Sequence, residues 1–472
     1  MAALWGRGFW GFGLRGTPGG RLPLLGRPFA STPAPPGPVG AARHARGGGL
    51  REAWDHLGLS RRPRVAVGLS GGVDSSVAAL LLKEAGCDVF GVFMRNWDDA
   101  EEGSGQCSTE ADLRDAQTAA RHLGIELIEV NFVAEYWSEV FQRFLAECQA
   151  GLTPNPDLAC NRHIKFKMLL DRVTELGADA LATGHYARVR SRGGREGGGR
   201  VELLRGIDLE KDQSYFLAQV PAEALGRCIF PLGDVTKHDV RRHAEAAGLP
   251  NAARRSSAGI CFIGRRNFSS FLTQYIEPTP GAFVSVESEA EVGMHRGLEL
   301  YTTGQRARIS GASAPWFVAG KDRATGVVYV AQGHDHAALY SDAAVAGDFH
   351  WVAGAPPPRL LSAGFRGTFK ARYLQRPGWC DLRIAEPSDL LPPSRFCLGG
   401  PCETENGRGV SGGAPLSVHF DRPVRALTPH QALVLYDGDV CLGAGLLQHH
   451  GATVFERGGT VPPSTVEAHP GS

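Results

Sequence analysis

A chain of 472 residues, 43% hydrophobic and 21% charged, has the composition of an ordinary globular protein and room for two or three domains. It holds no run of about 18 apolar residues, which excludes a helical membrane span. Its ten cysteines include no Cys-x-x-Cys and follow no secretory signal, so neither a disulfide framework nor a compact zinc site is expected.

In chain order, the first stretch stands apart. Residues 1–51 carry seven arginines and no acidic side chain, with Trp5, Phe9, Trp10, Phe12 and Leu14 among them. Arg-rich and acid-free, the segment matches a mitochondrial presequence, although it is poorer in serine than most; the plainer alternative is a disordered basic tail. Without it the chain holds 43 basic against 49 acidic residues, so a nucleic-acid partner has to be held by local patches.

From Arg64 to about Tyr186 strand-like runs (64–68, 88–94, 126–130, 179–183) alternate with helix-like runs (73–85, 109–123, 134–149, 163–175). That alternation predicts an α/β fold, a doubly wound parallel sheet with ligands at the carboxyl ends of its strands. The run "RSRGGREGGGR" (190–200) reads as an excursion between two strands, and helical character returns over 222–247. Residues 280–345 read as a small β-rich central domain, and the short strand-like runs over 363–447 as a C-terminal β-barrel. The expected divisions are a leader (1–62), an α/β domain with a helical extension (63–278), the central domain (279–345), the barrel (346–450) and a disordered tail (451–472).

The chemistry starts at "RVAVGLSGGVDSSVAALLLKEAG" (64–86). An apolar strand turns through Ser70, Gly71 and Gly72 into a helix whose first N–H groups are unpaired, which is an anion site and above all a phosphate site. It is neither a Walker A loop, lacking Gly-Lys-Ser/Thr, nor the dinucleotide fingerprint, whose glycine spacing differs.

"SGGVDS" at such a corner resembles the PP-loop of the N-type ATP pyrophosphatases, in which ATP is cut between its α and β phosphates and the corner holds the departing pyrophosphate. Asp74, in the first helical turn, is then placed to hold Mg²⁺; its other role is that of a helix-dipole partner. Together with "GVFMRNWDD" (91–99), "TPNPDLACNRHIKF" (153–166), "ATGHYAR" (182–188), "KDQSYFL" (211–217), "GICFIGRRNF" (259–268) and "YTTGQR" (301–306), the chain resembles the tRNA-specific 2-thiouridylases over roughly 62–448, and its basic leader resembles the mitochondrial form.

The resemblance implies an ATP-dependent sulfurtransferase that makes 2-thiouridine at the wobble position of tRNAs for Lys, Glu and Gln, in the mitochondrial matrix. Its sulfur arrives as a persulfide from a donor protein. Replacing a carbonyl oxygen by sulfur calls for activation of that oxygen and for two thiols, one to deliver and one to resolve. The family pattern nominates Cys261 as the persulfide and Cys160 as the nucleophile, ending in a transient Cys160–Cys261 disulfide. Asn155, Pro156 and Asp157 would grip the flipped base, with Asp157 an acid/base candidate; a turn residue after proline is the plainer reading of Asp157. ATP contacts carry over to Gly68, Leu69, Ser70, Gly71, Gly72, Val73, Asp74 and Ser75, and to Met94 and Gly184. The tRNA contacts carry over to His185, Lys211, Asp212, Gln213, Arg372, Tyr373 and Gln431. Arg372 and Tyr373 sit in "FRGTFKARYLQRPGW" (365–379), whose cations interleaved with aromatics suit phosphate contacts and base stacking. Ser256 stands where the family usually has an acidic residue. Two other readings start from the same corner: a PP-loop synthetase or amidotransferase acting on a small molecule, and a non-catalytic RNA-binding protein that kept the fold.

Overall fold

The computed structural model describes residues 54, 56–59, 61–97, 108–192, 200–254, 260, 262–264, 266–385, 392–397 and 414–462. Residues 1–53 of the leader, Ser256, Cys261 and residues 463–472 of the tail lie outside the described residues. The expected disordered tail is corrected over 451–462, which pack on the start of the barrel: Val454 N donates to Tyr340 O at 2.9 Å, and Arg457 pairs with Asp342 at 2.7 Å. No helix among the described residues is long and apolar enough to cross a membrane.

Five parallel strands build the first sheet, in the order β3-β2-β1-β4-β7: β1 (Arg64–Gly68), β2 (Asp88–Arg95), β3 (Leu127–Asn131), β4 (Ala180–Ala182) and β7 (Cys228–Ile229). Val65, Ala66 and Val67 are fully buried, as the uninterrupted apolar run of a strand covered on both faces requires. Strand order reverses between β1 and β4, and the crevice at such a switch point is where ligands bind in doubly wound folds. Two long helices follow the first two strands, α1 (Val73–Glu84) and α2 (Ser108–Leu123). Helix α1 buries Val73, Val77, Leu81 and Leu82, residues that recur at helical spacing, each contributing about 1.5–3 kcal/mol.

The next two helical segments depart from the expected ones. Segment α3 (133–149) contains a π-helical turn, Trp137–Phe141. Segment α4 (156–175) starts at Pro156 rather than near residue 163 and carries a π-helical stretch, Cys160–Leu169, with Phe166 off helical geometry (φ −101°, ψ 16°). The earlier start follows from Asn155-Pro156: the Asn155 side chain accepts from Asp157 N at 3.2 Å, and proline suits the first helical position. The expected helical run over 222–247 is likewise divided, with β7 lying between a short turn, Ala222–Leu225, and helix α5 (Lys237–Ala246). Both residues of β7 are fully buried at the sheet edge, so tertiary packing overrides the local helical tendency.

A central five-stranded sheet, ordered β10-β11-β12-β8-β9, spans β8 (Gly281–Ser285), β9 (Glu291–His295), β10 (Arg306–Ala307), β11 (Trp316–Asp322) and β12 (Val327–Gln332). The third sheet orders β13 (Tyr340–Trp351), β16 (Leu416–Arg425), β15 (Gly378–Ile384), β14 (Phe365–Lys370), β17 (Ala432–Asp437) and β18 (Val440–His450), and β13 also pairs with β18. Those six strands therefore close into a barrel with no free edge. The hairpin β5 (Ala187–Arg192) and β6 (Arg200–Arg205) leaves the α/β domain and pairs with β18, so the first domain and the barrel share one sheet.

The junction is polar as well as apolar. Lys370 Nζ meets Asp212 Oδ2 at 3.2 Å, with side-chain exposures of 4% and 1%. Tyr215 Oη donates to Ala432 O at 3.1 Å, and His430 Nε2 faces Glu147 Oε2 at 3.2 Å. These contacts hold the barrel against the end of the α/β domain where α3 and α4 lie.

Candidate active site

The corner between β1 and α1 is pre-shaped. Ser75 Oγ donates to Gly72 O at 3.0 Å and accepts from Ser70 N at 3.2 Å, closing the loop on itself. Gly72 is the N-cap residue and supplies no side-chain cap, so the first-turn N–H groups of α1 are left to an external acceptor. Gly71 has φ +74°, and a Cβ there would lie 2.4 Å from Asp112 O; only glycine fits. From outside, Asn251 Nδ2 at 2.8 Å and Arg254 Nη1 at 3.0 Å donate to Gly71 O, and Arg254 is tied in turn to Asp112 and Asp115.

Gly184 follows β4 across the switch point. A Cβ there would lie 2.8 Å from Ser75 N, so the backbone of the β4 loop rests directly on the first turn of α1. Met94, at the end of β2, is partly buried against the same core as Cys160.

Asp74 is not free-standing. Its carboxylate receives Lys237 Nζ on both oxygens (2.6 and 2.7 Å) and the Tyr186 hydroxyl on Oδ1 (2.6 Å). Burial, and then the Asp74 charge, push the Tyr186 phenol far above its usual range, so it stays a proton donor to Asp74. Among the described residues no group of three or more His, Cys, Asp or Glu side chains is arranged to hold a metal. A single carboxylate such as Asp74 would suit a divalent ion held chiefly by the phosphates of a bound nucleotide.

Cys160 opens the π-helical stretch of α4 and is 4% exposed. Asp157, in the helical turn before it, is half-buried, and desolvation raises its carboxyl above the ordinary value while the Lys165 charge pulls it down. Lys165 also acts on His185, whose imidazole burial keeps neutral. His185 Nδ1 is 2.7 Å from Thr183 Oγ1, and its ring packs against Phe166 and Phe230, with centroids 5.7 and 6.2 Å away. The residue next to Gly184 therefore touches the helix that carries Cys160. π-Helical turns are frequent at functional sites, and this one re-aims α4 between Cys160 and Phe166.

Cys261 lies outside the described residues. Its neighbours Ile260 and Phe262 are 6% and 2% exposed, in the buried cluster that also contains Leu158, Cys160 and Ile164. The Phe262 ring sits 5.2–5.6 Å from Phe141, Phe144, Trp97 and Phe271.

Comparison with known proteins gives the arrangement a family. The tRNA methyl transferase HUP domain matches residues 63–265, the tRNA methyl transferase PRC-barrel domain 269–332, and the aminomethyltransferase beta-barrel domain 410–447. The tRNA-specific 2-thiouridylase MnmA of Burkholderia thailandensis is 47% identical over 391 residues, covering 82% of this chain and 93% of its own. That of Burkholderia pseudomallei strain 1106a is 46% identical over 416 residues, covering 86% and 99%. The chain belongs to the tRNA-specific 2-thiouridylase family. Among solved structures, a 4-thiouridine synthetase–RNA complex with bound ATP is similar at 17% identity over 45% of this chain and 49% of that one, with a TM-score of 0.28.

The residues that the 2-thiouridylase pattern assigns to tRNA do not share one setting. Lys211 is exposed, and Tyr373 Oη donates to its carbonyl at 3.3 Å while the Tyr373 ring packs 4.5 Å from Phe216; these two distant stretches do meet. Arg372 reaches Arg425 O at 2.7 Å. Gln431 donates to the carbonyl of Thr153, two residues before Asn155, so the barrel touches the approach to α4. Asp212 is different: its Oδ1 accepts from Gly206 N and Ser214 N, its Oδ2 faces Lys370, and its carboxylate is a junction group rather than an exposed contact. Gln213 Oε1 accepts from Tyr186 N at 3.0 Å, placing it behind the Asp74 cluster. Tyr186 falls inside the motif ATGHYAR (182–188) without a role of its own in the sequence, and Lys237, Asn251 and Arg254 lie outside the quoted motifs. Beside Lys237 the local signal is the Thr236–Asp239 cap (Thr236 Oγ1 accepts from Asp239 N at 3.2 Å) that starts α5, and it says nothing about Asp74.

Proposed function

We propose that this chain is an ATP-dependent sulfurtransferase that converts the wobble uridine of tRNAs for Lys, Glu and Gln to 2-thiouridine in the mitochondrial matrix. The observation that carries the reading is a chain of contacts: the phosphate cradle of β1–α1, the Gly184-His185 loop resting on it, and α4, which carries Asp157 and Cys160 and whose Phe166 packs against His185. Identity of 46–47% to bacterial tRNA-specific 2-thiouridylases over more than four-fifths of the chain supports tRNA thiolation; the matrix location rests on the Arg-rich, acid-free residues 1–51, and the three tRNAs on the family resemblance.

In this reading uridine O2 attacks the α phosphate, and pyrophosphate departs into the cradle. The outer sulfur of a Cys261 persulfide, loaded by a donor protein, then adds at C2, and AMP leaves with the oxygen. Attack of the Cys160 thiolate on the inner, Cys261 sulfur breaks the S–S bond, leaves sulfur on C2 and forms the Cys160–Cys261 disulfide. An external dithiol supplies the two electrons that reopen it. Asp157, its carboxyl raised by burial, holds the proton balance at the base, and Asn155 contributes the amide of its cap side chain. Mg²⁺ held by Asp74 and the phosphates would offset the charge of the leaving pyrophosphate.

The test is nucleoside mass spectrometry of tRNA incubated with the purified chain, ATP, Mg²⁺ and a persulfide donor. Wild-type protein yields 2-thiouridine with one AMP per sulfur, and Cys160→Ser and Cys261→Ser yield none while still binding tRNA. A thiolated product from either variant overturns the assignment. Localisation is tested separately: residues 1–51 fused to a fluorescent protein carry it into mitochondria, and a diffuse signal refutes that part.

A further inference from the structure

The glycine corner resembles a P-loop without its lysine, yet a lysine stands beside it. Lys237 comes from the first turn of α5, 163 residues away in sequence, and lays its ammonium on both oxygens of Asp74. Asp74 is the second residue of α1, so the ammonium is held at the turn whose N–H groups await an anion. The lysine is anchored from behind: its own N–H donates to Asp208 Oδ2 at 2.8 Å, Thr236 caps its helix, and its ammonium lies 5.9 Å from the Tyr186 ring centroid. Its side chain is 14% exposed, and that of Asp74 30%, so the pair opens to the crevice and is not sealed in the core. Arg254, also at the corner, is committed to Gly71 O, Asp112 and Asp115, and Arg241 to the carbonyls of Ala252 and Arg254.

Resting on the ATP use proposed above, we propose that Lys237 is the phosphate-binding cation of this cradle: its ammonium binds the β and γ phosphates of the nucleotide and the pyrophosphate formed from them. Before the nucleotide arrives, the Asp74–Lys237 pair keeps the site neutral. A divalent cation arriving with the triphosphate competes for the same carboxylate oxygens, and the released ammonium turns on its four-carbon stem toward the phosphates while the backbone stays fixed by Asp208 and Thr236. This is the task of the P-loop lysine, carried out from another helix as a point charge.

The experiment is isothermal titration of the full chain with ATP plus Mg²⁺ and, separately, with AMP. Lys237→Met weakens ATP binding about 10- to 100-fold, the worth of one charged hydrogen bond, leaves AMP binding within about twofold, and Lys237→Arg recovers part of the loss. On the unmutated chain, ATP but not AMP changes the rate at which an amine-acylating reagent modifies Lys237, read by peptide mass spectrometry. Unchanged ATP affinity in Lys237→Met, equal loss of ATP and AMP, or acylation indifferent to ATP overturns the proposal. A wild-type chain that binds neither nucleotide overturns instead the ATP reading on which it rests.

Discussion

Replacing Asp212 by asparagine removes one charge and almost no volume, and its consequence is set by where that charge sits. Asp212 and Lys370 are 1% and 4% exposed and 3.2 Å apart. At an effective dielectric of about 20 their attraction is about 5 kcal/mol, which the desolvation of two ions, several kcal/mol each, largely cancels. The intact pair is therefore worth little, whereas a lone Lys370 ammonium in the same place costs about 3–5 kcal/mol. Asparagine still offers an oxygen to Gly206 N and Ser214 N, so the hydrogen bonds that shape the loop survive. Urea unfolding of the full chain, followed by far-UV circular dichroism, will show Asp212→Asn destabilised by about that amount. The double variant Asp212→Asn, Lys370→Met will recover most of it, because the stranded charge is gone. Asp212→Asn within about 1 kcal/mol of wild type refutes the argument that the charge is part of a sealed pair.

Gly184→Ala places a methyl 2.8 Å from Ser75 N and pushes the β4 loop off α1; overpacking of about 1–3 kcal/mol, concentrated at the cradle, lowers ATP affinity about tenfold or more with the circular dichroism spectrum unchanged. Asp157 has its folded-state pKa raised by desolvation, so its contribution to stability is complete below its ordinary value of 3.8 and is lost as pH rises through the folded value. Asp157→Asn is therefore more stable than wild type at pH 7 while inactive in thiolation, and the stability difference closes on acidification; denaturation at both pH values checks the sign. His185 is shifted the other way, its folded pKa well below 6.5, so its contribution is present above 6.5 and lost as pH falls; His185→Gln flattens that acid loss, whose slope is at most about 1.4 kcal/mol per pH unit. Lys211 is exposed, and Lys211→Ala weakens tRNA binding and lowers the slope of log affinity against log salt by about one, measured by filter binding.

The parts of this molecule that announce themselves in sequence are those whose cause is local. The β1–α1 corner is legible because an apolar triplet, two glycines and a helical stripe lie within twenty residues, and the strand alternation that predicts the parallel sheet is equally local. What stays hidden needs partners from afar. Nothing near residues 187–205 shows that the hairpin they flank leaves its own domain to pair with β18, since an edge is completed by whichever strand presents itself. The start of α4 is hidden because the hydrophobic spacing becomes regular only after Cys160, whereas the helix begins earlier on an asparagine cap and a proline. The earlier start matters chemically: it puts Cys160 inside a helix, with Asp157 a turn before it, where a start at 163 leaves both outside.

Charge is the least legible quantity of all. Asp74 and Asp212 each stand in a motif with an assigned role, one toward metal and one toward RNA, and each carboxylate is met by a lysine from another part of the chain. The two pairs differ in depth, and depth decides what they can do. Lys370 and Asp212 are sealed, so neither ion can leave without stranding the other, and the pair works as a fixed joint between barrel and α/β domain. Lys237 and Asp74 face the crevice, where water and an incoming polyanion compensate whichever ion moves, and the pair can exchange partners. One motif carboxylate is thus a joint and the other part of a working site, a distinction that residue type and spacing do not contain and that burial supplies.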